Sequence, residues 1–228
     1  MSLFACIGFI TGLLLPITAG RFGKILPADP GLALLRLWHR PHFPRVMFAS
    51  QRHRLISKWK KLGFISILWG LTMAVLFVLS HRLIGGELAV WGCVFCVLIG
   101  FCIFIDERYF LLPDFFTVPL LLLGIMMSCL CHETTPMAGI TGAVFGYLIA
   151  TVSVLLLGLF ERPELGAGDV KMITALGAWL GVMGLNYTVL ISFFLFAMPI
   201  MCQSKRRGAY GPALGIAALI TFFFIYAK

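Results

Sequence analysis

Acidic residues are few in this 228-residue chain, and where they fall carries most of its readable chemistry. There are nine. Asp29, Glu87 and Glu133 stand apart in connecting segments and read as solvated surface. The other six form two clusters. Asp106, Glu107 and Asp114 lie in FIDERYFLLPDFFTVPLLLLG (104–124), and Glu161, Glu164 and Asp169 in ERPELGAGDVK (161–171). Asp106 closes one long apolar run and Asp169 opens another. A carboxylate at such a boundary is costly unless it pairs, faces a polar cavity or holds a proton. Two at the same depth would share one proton, because like charges a few ångströms apart cannot both ionise cheaply. The ionised member can draw a proton from water while the protonated one polarises a peptide carbonyl. That is peptide hydrolysis without a covalent intermediate.

The residues around Asp169 suit that task. Gly166 and Gly168 have no Cβ, so the backbone there can bend sharply and approach a substrate strand. Asp169 would then open a helix whose N-terminal amides favour a negative charge. The competing reading is an aspartate that merely caps a helix after a glycine turn; Asp106 at the same membrane face weighs against it. Other hydrolytic signatures are missing. His132-Glu133 is followed by Thr134, Thr135 and Pro136, so there is no HExxH, and no GxSxG occurs. Cys93-x-x-Cys96 has ligand-like spacing but no second pair, and reads as apolar packing. His39, His42 and His53 fall in a basic segment without cysteine and read as a solvated or lipid-facing loop.

The elements that must hold these side chains follow from composition. The chain is 61% hydrophobic and 12% charged, against about 25% charged for a soluble domain. It is predicted to be an all-α, polytopic membrane protein of about eight transmembrane helices, with apolar stretches near 3–20, 62–80, 88–105, 115–131, 137–160, 170–183, 186–202 and 209–226. A span needs about 20 apolar residues, so the sixth, short and carrying Gly177 and Gly181, would span only with its neighbours' support. Continuous rather than alternating runs argue against a β-barrel. With eight spans, all Lys and Arg but Arg82 and Lys228 fall on one side, which the positive-inside rule makes cytoplasmic. The net charge of +9 therefore reads as topology and contact with anionic headgroups in the lipid bilayer, not as nucleic-acid binding. The organisation expected is one membrane domain over 1–228, with a basic cytoplasmic loop at about 21–61. Within it, RHRLISKWKK (52–61) resembles an interfacial helix leading into span two. The first apolar run, with no basic stretch before it, reads as a retained helix rather than a signal peptide.

Four segments, in order, resemble the bacterial prepilin leader peptidases, the type IV prepilin peptidases of the GxGD aspartyl protease class (family A24). FIDERYFLLPDFFTVPLLLLG is similar to the family's first motif and LGAGDVKMITALGAWLG (165–181) to its second. GFITGLLLPITAGRFGKILP (8–27) and AYGPALGIAAL (209–219) are similar to its first and last helices. The resemblance implies Asp106 and Asp169 as the catalytic pair, with Gly166, Gly168, Asp114 and Lys171 as supporting motif positions. Asp114 would cap the next helix or shape the site; Lys171 would anchor the cytoplasmic face or act directly. It further implies an inner-membrane endopeptidase that removes short basic leaders from pilin or pseudopilin precursors, with Glu107, Glu161 and Glu164 placed to attract the leader. Many relatives carry paired CxxC motifs after the first span, thought to bind zinc. Loop 21–61 has no cysteine, so zinc is not expected, and the peptidase reaction needs no cofactor. S-adenosylmethionine enters only if the family's N-methylation is retained. The rival reading is a proton- or cation-coupled transporter using the same aspartates.

Overall fold

The computed structural model describes residues 1–25, 49–131, 134–159, 166–203 and 209–227. Every regular element among them is helical: α1 (Ser2–Ile25), α2 (Ala49–Leu79), α3 (Gly86–Tyr109), α4 (Asp114–Leu130), α5 (Pro136–Leu159), α6 (Ala167–Gln203) and α7 (Gly211–Tyr226), with a π-helical turn, Ser80–Ile84, between α2 and α3. Among the described residues, five segments are long and apolar enough to cross a membrane: Ser2–Gly20, Lys61–Ile84, Gly86–Tyr109, Pro136–Leu156 and Ala167–Met198. α4 and α7 are shorter apolar helices. The chain is thus an all-α, multi-pass membrane protein.

The described residues form two compact units, Met1–Val78 and Leu79–Lys228. In the first, α1 and α2 run antiparallel, with Gly8 against Met73 and Gly12 against Trp69 and Gly70. A methyl group on Gly8 would lie 2.7 Å from the Met73 carbonyl oxygen. This is the small-xxx-small contact by which helices associate in lipid, where apolar burial alone gives no drive. Phe64, Leu68, Leu71 and Val75 form an exposed apolar stripe on α2. The helical backbone over 49–60 is continuous with the following span, rather than a separate interfacial element.

The second unit is built around α3. Two thirds (67%) of its most apolar window is buried, against 28% or less in the other long segments. Phe95 of α3 packs on Trp179 of α6 and Phe222 of α7, with ring centroids 4.9 and 4.7 Å apart. The Trp179 indole lies against Gly124 of α4, and its Nε1–H donates to the Leu120 carbonyl at 2.7 Å. α5 presents Gly139, Gly142 and Gly146 to α6, and Gly142 meets Gly177 backbone to backbone.

α6 is folded in two at Gly181, where φ is 65° and ψ −177°. That conformation is essentially restricted to glycine. Gly146 has both Ile173 and Leu185 beside it, although a straight helix would separate those two residues by about 18 Å. The arms 167–180 and 182–203 therefore run back on each other. The second arm then runs antiparallel to α7, with Gly184 near Thr221 and Ile225 and Ser192 hydrogen-bonded to Tyr210. These arms correspond to the sixth and seventh predicted spans, and the count of about eight is an approximate one.

Candidate active site

Three helix ends meet at one end of this second unit. The first is the C-terminus of α3. Asp106 sits in its last turn and is only 6% exposed. The Asp106 carbonyl accepts the N–H of Phe110 at 3.0 Å, and Phe110 ends the helix in a left-handed conformation (φ 51°, ψ 40°). Glycine usually fills such a cap; a residue with a Cβ costs about 1–2 kcal/mol there. The turn leads through buried Leu112 to Pro113, which starts α4.

The second is the N-terminus of α6. Asp169 lies in the first turn, and its Oδ2 accepts the N–H of Gly166 at 3.0 Å. This is the reach-back half of a capping box. Asp169 is thus the third residue of the helix rather than the N-cap weighed in the sequence, and this bond orients its carboxylate. Neither Gly166 nor Gly168 has positive φ. What Gly168 supplies is space: a methyl group on it would lie 2.8 Å from Cβ of Leu112. Its close neighbour is the chain's own Leu-Pro-Asp turn, where the sequence suggested a sharply bent approach to a substrate strand. Gly168 thereby brings the two motif segments into contact.

The third is the N-terminus of α7, to which the sequence assigned no role. The Gly211 N–H donates to Oδ2 of Asp106 at 2.9 Å. Beside it, the hydroxyls of Tyr210 and Ser192 are 2.6 Å apart. A Gly-Pro pair at a helix start is an N-terminal signal, but nothing in the sequence says which side chain its free amide meets. Asp169 lies within electrostatic reach of both Asp106 and Tyr210.

Asp114 opens α4 and forms an ion pair with Lys171 on α6. The N-cap position itself is held by Pro113, and the hydrogen bond of the Asp114 carboxylate goes to Lys171. Both members of the pair are well exposed, Lys171 by 48% and Asp114 by 63%. Glu107 is exposed on the last turn of α3, whereas Glu161 and Glu164 lie outside the described residues. Among the described residues no group of three His, Cys, Asp or Glu could hold a metal ion; most of loop 21–61 lies outside them. Cys93, Cys96 and Cys102 are buried in α3 as free thiols.

Known proteins resemble the chain across these segments. The model of the type IV leader peptidase family matches residues 93–201, a stretch that includes both aspartates. The chain is 32% identical over 196 residues to a prepilin leader peptidase/N-methyltransferase of Neisseria gonorrhoeae, covering 82% of this chain and 67% of that protein. Proteins of the same name from Xanthomonas campestris pv. campestris and Dichelobacter nodosus are 35% and 34% identical; the match covers 52% and 56% of this chain and 44% and 46% of theirs. The chain thus spans about half the length of these last two. No solved structure matches it. The transporter alternative finds no support in these likenesses. The match to the gonococcal protein, and a family model running through both the Leu-Pro-Asp and the glycine–aspartate segments, place the chain in the type IV leader peptidase family.

Proposed function

We propose that the chain is an intramembrane aspartyl endopeptidase that cleaves the short basic leader from pilin-like precursors, with Asp106 and Asp169 as its catalytic pair. One observation carries this reading: Gly168, beside Asp169, packs against Leu112 in the turn that follows Asp106, so two helix ends 63 positions apart in sequence bring their carboxylates to one end of the unit. In the reaction, the ionised aspartate takes a proton from water as the water oxygen attacks the scissile carbonyl carbon. The protonated aspartate gives its proton to the carbonyl oxygen. As the tetrahedral intermediate collapses, the C–N bond breaks, the leaving nitrogen takes the proton gained from water, and a hydroxyl of the intermediate gives its proton to the other aspartate, which restores the single shared proton of the pair.

The basic residues next in sequence to these helix ends, Arg108, Arg162, Lys171 and Lys205–Arg207, support a cytoplasmic site in a bacterial inner membrane. A precursor's apolar helix would then lie in the bilayer with its basic leader at the site. Glu107, Glu161 and Glu164 are the acidic groups nearest in sequence to the aspartates and would attract that leader. The relatives' names also include N-methylation. S-adenosylmethionine would supply the methyl group. The described residues are helical and carry no strand–turn–helix cradle for its nucleoside.

The test is mass spectrometry of a pilin-like precursor coexpressed with this protein. The expected product lacks its leader, and the same spectrum reveals any added methyl. Asp106→Asn and Asp169→Asn should each abolish cleavage while the protein still inserts; activity surviving in either removes that residue from the mechanism. Changing the three glutamates to lysine should slow cleavage of basic leaders, and an unchanged rate ends their assignment.

A further inference from the structure

Both catalytic candidates came from the two aspartate motifs, yet the shortest reach to Asp106 comes from elsewhere. Gly211, the first residue of α7, donates its backbone N–H to Oδ2 of Asp106 at 2.9 Å, across 105 positions of sequence. It is also buried, and pressed against the same carboxylate. A methyl group built on it would lie 2.5 Å from Asp106 Oδ2, 2.9 Å from Cγ and 3.0 Å from Cβ. Real Cβ contacts essentially never come below 3.0 Å, and the neighbour that would have to yield is the aspartate itself. The φ of Gly211 is not positive, so backbone conformation does not demand a glycine. Proximity to Asp106 does. The preceding residue is fixed in turn, because Tyr210 is hydrogen-bonded through its hydroxyl to Ser192 on the second arm of α6 and its ring packs edge-on against Phe196, with centroids 5.3 Å apart.

We infer that Gly211 is a positioning residue for Asp106: its amide holds one carboxylate oxygen, and its missing side chain leaves room for the carboxylate to face Asp169. A backbone donor is well suited to this. It has no rotamers of its own, and a bond to a charged acceptor is about twice as strong as a neutral one. The inference rests on the peptidase reading for its kinetic consequence only.

Two experiments test it. Tyr210-Gly211 is the sole Tyr–Gly pair in the sequence, so carbonyl-13C tyrosine with 15N glycine gives a single correlated amide signal in the otherwise native protein. That signal should shift on Asp106→Ala; no shift overturns the contact, whether or not the protein cleaves anything. For the kinetic arm, Gly211→Ala should lower kcat about 100-fold, the scale expected when a reacting group is displaced by about 1 Å, with KM within about twofold. Gly184→Ala is the comparison. A methyl group there would also be crowded, 2.5 Å from the mobile tip of Ile225 (Cδ1) and 2.9 Å from Leu180 Cβ, but at the far end of the same helix pair. If both variants lose kcat in proportion to their loss of thermal stability, Gly211 has only a packing role and the inference fails. If Gly211→Ala does not fold, the amide signal alone decides. Absence of cleavage by the unaltered protein would sink the peptidase reading and leave the amide result standing.

Discussion

At the residue scale, the paired side chains divide by exposure. Asp106 is buried and held by a backbone amide, while Asp114 and Lys171 meet in the open. An exposed ion pair contributes about 0–1 kcal/mol, much of it screened by salt. The Asp114–Lys171 pair is therefore a weak source of stability, but it ties the start of α4 to the first turn of α6 beside the site. Lys171→Ala should shift thermal unfolding in detergent by no more than about 1 kcal/mol while cleavage falls severalfold. Exchanging the two charges (Asp114→Lys with Lys171→Asp) should recover much of that activity. A swapped enzyme no better than the single variant would show that one of the two acts directly. Residue identities pointed to Asp106, Asp169, Asp114 and Lys171 because ionisable groups are conspicuous in an apolar chain. Gly211 was not legible, since its contribution is a main-chain N–H and an absent side chain, neither of which leaves a compositional mark.

Among the elements, α6 does most to shape the site end. Its turn at Gly181 lets one continuous stretch of sequence supply Asp169 from its first arm and Ser192, the anchor of Tyr210, from its second. Gly181→Ala places a side chain in a conformation that costs about 1–3 kcal/mol outside glycine. The expected result is a loss of stability of that size by thermal or denaturant unfolding, with cleavage reduced because both arms lose their register. An alanine variant as stable as the parent would mean the turn tolerates side chains. Helix number and rough bounds were readable from runs of apolar residues. The reversal within α6 was readable only as a short sixth stretch with two glycines, because apolar length says how far a helix reaches and not where it folds back. The packing partners of α3 were equally hidden. Its apolar run resembles those of the other helices and does not say which of them cover it.

On the scale of the whole molecule, the described helices differ in how far they reach. α3 has 24 residues, α4 has 17 and α7 has 16, or roughly 36, 26 and 24 Å at 1.5 Å per residue. The first arm of α6 is shorter still, about 21 Å. The hydrocarbon core of a bilayer is about 30 Å thick. Three of the four pieces that build the site end are thus too short for the membrane that α3 fits. Hydrophobic mismatch of this kind costs a fraction of a kcal/mol per ångström and is relieved by thinning the surrounding lipid. Turnover in proteoliposomes should accordingly decline as the acyl chains are lengthened from about 14 to about 22 carbons, at constant headgroup and with insertion unchanged. A flat profile across that series would mean the short helices are shielded from lipid. A leaflet thinned around these helices would give water a path to the aspartates, and would mark where a precursor's backbone could leave its own helix to be cut.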